Sequence, residues 1–212
     1  MAHDELADAL LTLRGRVAEV RLPLETATAA AGRADRTRVL DQLDDYLLPR
    51  LRDPGAPVLV VVGGSTGAGK STVVNSLVGA EVSAPGVLRP TTRWPVLVHH
   101  PLDARWFSSD RVLPSLARVA GGAGTGSRPG LRLVASDALP SGLALLDAPD
   151  VDSVEEANRV LAAQLLAAAD VWLFVTTAAR YADAVPWELL TDAALRGTHL
   201  ALVLDRVDVG TE

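Results

Sequence analysis

Cysteine is absent from the 212 residues, lysine occurs once, and aromatic side chains make up only 4%. Without cysteine there is no disulfide framework and no thiolate metal site. No stretch of about 18 or more uncharged apolar residues occurs, so no transmembrane helix is encoded, although mean hydropathy is slightly positive. The N-terminus carries Asp4, Glu5 and Asp8, where a secretory signal needs a basic start followed by an apolar core. Together these absences favour a reducing, cytoplasmic address. With a net charge of −6, composition does not indicate a general nucleic-acid-binding surface, so any phosphate chemistry must come from a local site.

The lone lysine is Lys70. An arginine-preferring composition explains why lysine is otherwise missing. Its retention here indicates a place where a compact ammonium fits and a planar guanidinium does not.

Hydrophobic half and turn residues divide the chain into an arm and a body. Leu6, Leu10, Leu13, Val17 and Val20 recur at the spacing of a buried helical face, and Val39, Leu40, Leu43, Tyr46 and Leu47 form a second such run after Pro23. Residues 1–52 are therefore expected to be a helical arm or hairpin. Asp53-Pro54-Gly55-Ala56-Pro57 punctuates strongly, and residues 57–212 are expected to form the main domain. Val58 to Val62 reads as a strand buried on both faces. Further strands are expected at 95–99, 131–135, 143–146, 171–176 and 200–204, with helices at 72–78, 154–169 and 186–195. Residues 101–118 read as mixed and largely helical, and the glycine-rich stretch 121–130 as a flexible loop. Strands alternating with helices imply an α/β fold with a doubly wound sheet.

Gly64-Ser65-Thr66-Gly67-Ala68-Gly69-Lys70-Ser71 fits G-x-x-x-x-G-K-[ST] at every fixed position. An apolar strand precedes it and a helix containing Thr72 follows, as a phosphate loop requires. Glycines let the backbone take positive φ and approach an anion without a Cβ in the way. Successive amides then point inward, aided by the positive end of the helix. In such a loop Lys70 reaches the β- and γ-phosphates and the Ser71 hydroxyl ligates Mg²⁺.

Three later segments resemble, in order, the motifs of translation-factor-class GTPases. Arg89-Pro90-Thr91-Thr92-Arg93 resembles switch I, and Thr92 is favoured as the threonine that meets Mg²⁺ and the γ-phosphate. Asp147-Ala148-Pro149-Asp150 resembles the D-x-P-G of switch II, which implies a Mg²⁺ role for Asp147 and a γ-phosphate contact at residue 150. The departure is Asp150 in place of Gly, which brings a carboxylate into an anionic site. Asp205-Arg206-Val207-Asp208 resembles N/T-K-x-D, whose final Asp reads guanine N1 and N2; Asp205 and Arg206 replace the usual Asn or Thr and Lys.

Across residues 58–208 the order resembles the Era and dynamin-related branch of P-loop GTPases, most nearly the actinobacterial YfjP-like group. Further support comes from Asp147-Ala-Pro-Asp-Val-Asp-Ser-Val154, Arg180-Tyr181-Ala182-Asp183 and the helical arm. The resemblance implies Mg²⁺-dependent binding of GTP and GDP, slow hydrolysis, and coupling to self-association or a membrane-linked partner. Because the sequence reaches Glu212 without the Ser/Thr-Ala-Lys guanine loop of that family, a longer protein is expected.

The water-orienting Gln of Ras-like proteins is not there, since Val151 follows Asp150. Gly67 stands where relatives recruit a monovalent cation through Asn or Ser, leaving Thr66 or the switch I backbone to position water. Arg89 and Arg93 are the arginine-finger candidates, while His99 and His100 read as a strand end. An ATP-using P-loop enzyme and a nucleotide-dependent dynamin-like scaffold are the alternatives to a GTPase switch.

Overall fold

The computed structural model describes residues 2–83, 94–109, 111–119, 130–180, 184–195 and 197–207. The arm comprises α1 (Ala2–Glu19), α2 (Ala27–Gln42), a π-helical turn (Leu43–Leu47) and α3 (Leu48–Arg52). Thr26 caps α2, its hydroxyl accepting from the Ala29 amide at 3.1 Å. The two expected apolar faces are only partly buried. Leu6, Leu13, Val20 and Val39 are each at least 40% exposed. The π-helical turn adds a residue to the helical repeat and shifts its phase. As a result Leu43, Asp45 and Leu48, rather than Tyr46 and Leu47, take the fully buried positions.

Asp45 is thereby pressed against the body of the protein. It accepts hydrogen bonds from Gln164 Nε2 at 2.7 Å and from Ser115 Oγ at 3.0 Å. Burial nonetheless pushes its carboxyl above the ordinary carboxylate range, with a smaller push from Asp44. Asp41 is raised too, first by partial burial and then by Asp45 and Asp44. A carboxyl raised on folding holds its proton more tightly in the folded state, so its contribution favours folding at acid pH and is lost as pH rises through the folded value. Asp45→Asn should therefore melt higher than the wild type at about pH 7, and this advantage should vanish as pH is lowered toward about 4. Paired thermal melts across that range check the sign.

Among the described residues seven strands form one sheet: β1 (Val58–Gly64), β2 (Val96–His99), β3 (Ala117–Val119), β4 (Gly130–Ala135), β5 (Leu143–Asp147), β6 (Val171–Thr177) and β7 (His199–Asp205). Their spatial order is β3-β4-β2-β5-β1-β6-β7. All neighbours are parallel except β2 and β5, which are antiparallel. The sheet thus has two blocks running in opposite directions. The helices of the body are α4 (Lys70–Val78), the single turn α5 (Ala104–Phe107), α6 (Glu156–Ala167) and α7 (Ala184–Leu195). The expected doubly wound α/β fold with a helical arm ahead of it is the fold found.

Residues 101–118 are a correction. Among the described residues of this stretch only Pro101–Phe107 is helical, and Ala117–Val119 joins the sheet as edge strand β3. Between them Arg118 turns its guanidinium back onto the carbonyls of Phe107, Ser109, Val112, Leu113 and Leu116. Those carbonyls are held by a side chain instead of by a helical ladder. The stretch 120–129 lies outside the described residues, and Gly130 opens β4.

The larger core lies on one face of the sheet, where Leu161, Leu165 and Leu166 of α6 meet Leu59, Val61, Trp172 and Phe174. On the other face Val74 and Val78 of α4 pack with Val62, Val98 and Val175. These two layers hold the carboxyl ends of β1, β5, β6 and β7 side by side. Among the described residues no helix is long and apolar enough to cross a membrane.

Candidate functional site at the phosphate loop

Burial of β1 on both faces fixes where Gly64 to Gly69 leave the sheet. Gly64 has φ +147°, and a Cβ there would sit 2.0 Å from the carbonyl oxygen of Val175 on β6. Gly69 has φ +96° and ψ 14° and forms the N-cap of α4. A Cβ at Gly69 would come within 2.6 Å of Asp205 Oδ2. The loop therefore has two positions where only glycine fits, one against the sheet and one beneath the end of β7. Helix α4 begins at Lys70, earlier than the sequence reading placed it, so the amides of Lys70 and Ser71 belong to a helix N-terminus and need acceptors from outside the helix.

Lys70 is 6% exposed. Its ammonium donates to the Ser65 carbonyl at 2.9 Å and forms an ion pair with Asp150. Ser71 Oγ donates to Asp147 Oδ2 at 2.6 Å, across 76 positions of sequence. A helix start and the end of β5 thus bring together the hydroxyl and carboxylate that the sequence assigned to a metal. Ser83 Oγ donates to the same Asp147 oxygen at 2.5 Å. The Asn75 side chain fixes Ser83, accepting from the Val82 and Ser83 amides and donating to the Ser83 carbonyl at 2.7–2.9 Å. Ser83 belongs to no motif and was missed in the sequence.

Asp152 was missed as well. Its Oδ1 accepts from both the amide and the hydroxyl of Thr66, at 2.7 and 2.8 Å, while Oδ2 is paired with Arg180 at 3.0 Å. Thr66 is thus engaged with a carboxylate through both of its donors. Ala68 donates its amide to the Ser65 carbonyl at 3.1 Å, closing the turn. The Ser65 hydroxyl is buried with no hydrogen-bond partner among the described residues.

The far wall comes from the end of β7. Arg206, with φ +55°, donates to the Gly67 carbonyl at 3.0 Å. Asp205 accepts the Arg206 amide at 2.9 Å and faces Gly69. Phosphate loop, Asp147, Asp150, Asp205 and Arg206 are therefore gathered at one sheet edge. Thr72, in the first turn of α4, is exposed. Thr92, Arg89, Arg93 and Asp208 lie outside the described residues. His99 is buried, stacked on Phe107 with ring centroids 5.3 Å apart, and takes no part in the site.

The residues fit a magnesium nucleotide. Gly64 and Gly69 leave a loop that side chains would fill, and one ammonium and a helix N-terminus face it. Ser71 and Asp147 are hard oxygen donors of the kind Mg²⁺ takes in ones and twos, with phosphate and water completing its shell. Among the described residues there is no cluster of three or more His, Cys, Asp or Glu side chains fit to hold a metal. A separate cleft of about 580 Å³, between the arm and Arg111–Ser115, is lined by Asp41, Asp44 and Asp45. Asp53 and the guanidinium groups of Arg14, Arg52 and Arg111 line it too, and no residue of 64–71 does, so that cleft is separate from the phosphate loop.

The sequence matches no protein-family profile and no curated protein. Solved structures do match. A chain of an oligomerised bacterial dynamin pair, described as sensing and tethering membranes, aligns over all of this chain at 13% identity with a TM-score of 0.52. Era from Aquifex aeolicus, bound to GDP·AlF₄⁻, aligns over 73% at 20% identity with a TM-score of 0.45. Era in complex with MgGDPNP and a segment of 16S ribosomal RNA aligns over 74% at 20% identity with a TM-score of 0.46. The likeness to the bacterial dynamin chain is one of fold. The chain spans 40–43% of the length of these structures.

Proposed function

We propose that this chain binds Mg²⁺·GTP at the phosphate loop, hydrolyses it slowly to GDP and phosphate, and acts as a nucleotide-dependent switch. The observation that carries the reading is the meeting of Ser71 with Asp147 at 2.6 Å beside the buried Lys70. A structural turn has no use for a buried ammonium and a hydroxyl–carboxylate pair at a helix N-terminus, whereas a polyphosphate with a divalent cation uses all three. Ser71 and Asp147 would hold Mg²⁺, which would supply positive charge to offset the charge of the phosphates. Lys70 neutralises the terminal phosphates, and the amides of Gly69, Lys70 and Ser71 bind and orient them.

The guanine reading rests on the resemblance of Asp205-Arg206-Val207-Asp208 to N/T-K-x-D, with Asp208 assigned to the base; Arg206 ties the end of β7 to the phosphate loop through the Gly67 carbonyl. Slow turnover follows from Val151, which is buried and offers no side chain to hold a water. Thr66 is proposed as the water-positioning residue once released from Asp152, and Thr92 as the γ-phosphate sensor. We place the chain nearest the YfjP-like branch on the Asp147–Val154 sequence. The arm, which aligns with the bacterial dynamin chain along with the sheet, is proposed as the route to a second copy or a membrane-linked partner.

Titration with GTP, GDP and ATP, each with Mg²⁺, tests the reading. GTP and GDP should bind at least ~10-fold more tightly than ATP, because a pocket that reads hydrogen bonds rejects a base lacking them. Equal affinity for ATP would transfer the site to an ATP-using enzyme. Light scattering during the same titration reads self-association, and no change on adding GTP would remove the arm's proposed role in it.

A further inference from the structure

The ammonium assigned to phosphate and the threonine assigned to the attacking water are both already occupied by carboxylates of the protein. Lys70 is paired with Asp150, and Thr66 gives both its amide and its hydroxyl to Asp152. Both acids lie in one three-residue stretch after β5, and main-chain hydrogen bonds fix that stretch. Val151 donates its amide to the Gly64 carbonyl at 3.3 Å, and Ser153 donates to the Asp150 carbonyl at 3.3 Å. Arg180 neutralises the outer oxygen of Asp152 at 3.0 Å. Asp150 is the residue that departs from the D-x-P-G pattern, and its side chain is 30% exposed against 6% for Lys70. The carboxylate is thus hydrated on one side and committed to the ammonium on the other.

Resting on the reading of this loop as a magnesium nucleotide site, we propose that Asp150 and Asp152 are an internal stand-in for a terminal phosphate, so that they determine how the site discriminates nucleoside triphosphate from diphosphate. A diphosphate brings its β-phosphate to one side of the Lys70 ammonium and leaves the γ position empty, so Asp150 keeps the other side. A triphosphate brings a further anion to the side that Asp150 holds. Two anions cannot share that site at close range without a large repulsive cost. The Asp150–Asp152 stretch is therefore displaced when triphosphate binds, releasing Thr66. Asp150 lowers triphosphate affinity while leaving diphosphate affinity nearly unchanged, and couples the γ-phosphate to the stretch that leads into α6.

The test is the ratio of Mg²⁺·GTP to Mg²⁺·GDP affinity in the wild type, Asp150→Asn and Asp150→Gly, measured calorimetrically. Both substitutions should raise the ratio by ~10-fold or more, mainly through GTP. An unchanged ratio with binding intact overturns this inference and leaves the nucleotide reading standing. A wild type that binds no nucleotide overturns both. If adenine nucleotides bind instead, the same ratio taken with ATP and ADP decides the matter. Hydrogen exchange on the wild type needs no variant. A non-hydrolysable GTP analogue should accelerate exchange at the Val151 amide relative to GDP, and equal protection in both states would refute the displacement.

Discussion

Lys70→Ala should bind Mg²⁺·GTP at least ~100-fold more weakly than the wild type while keeping its fold. The ammonium is the one lysine of the chain, and burial strengthens its pull on an anion compared with the same charge in water. Each charge-assisted hydrogen bond it makes to a phosphate oxygen contributes about 1.5–3 kcal/mol, and no other basic side chain described at the loop reaches the same place. Arg206 is turned to the Gly67 carbonyl and Arg180 to Asp152. The fold survives because the partner left behind, Asp150, is accessible to water. Calorimetric titration and a thermal melt on the same preparation read both halves. Undiminished affinity would take the phosphates away from this loop.

Gly64→Ala has the opposite character: a large loss of stability from a single methyl group. The added carbon would lie 2.0 Å from the Val175 oxygen and 3.0 Å from its carbonyl carbon. Gly64 and Val175 are register partners of neighbouring parallel strands, so the obstacle is backbone and cannot rotate away. A φ of +147° adds strain for any residue with a Cβ. The combined cost is about 3–5 kcal/mol, or a fall in Tm of roughly 10 °C for a domain of this size. Gly67→Ala is the internal control. No heavy atom lies within 4 Å of a Cβ at Gly67, whose φ is +75°, so only the left-handed backbone penalty of about 1–2 kcal/mol applies. Similar melting temperatures for the two variants would refute this account.

The phosphate loop was legible because its chemistry is contiguous. An anion cradle is made from neighbouring amides, so the glycines, Lys70 and Ser71 must be adjacent in sequence. β1 and β6 were legible for a related reason, since a strand covered on both faces reads as an unbroken apolar run. Strand direction is not written that way. Val96–His99 carries the same residue types whether it runs with β5 or against it, and its antiparallel pairing is set by how the chain crosses the sheet. Edge strand β3 is three residues long, too short for any periodicity to declare. The π-helical turn moved Tyr46 and Leu47 off the buried face because a single added residue changes the phase of every position after it.

The carboxylates of the site show the same divide. Asp147 and Asp150 could be assigned from a four-residue pattern, whereas Asp152 acquires its role only where the stretch after β5 crosses the phosphate loop. Ser83 reaches Asp147 from 64 positions away. Nothing local marks either residue, since Ser and Asp in loops are ordinarily turn formers.

The junction between arm and sheet has a mechanical meaning. Arg50 of α3 donates to the carbonyls of Ala56 and Pro57 and pairs with Asp170, which in turn accepts the Leu59 amide at 2.7 Å. The last turn of the arm, the lead-in to β1 and the residue before β6 are thereby spliced into one joint. A torque applied to the arm enters the sheet at the root of β1, and the glycine bend lies at the other end of that strand, about 20 Å away. Arm and phosphate loop are thus opposite ends of one stiff rod.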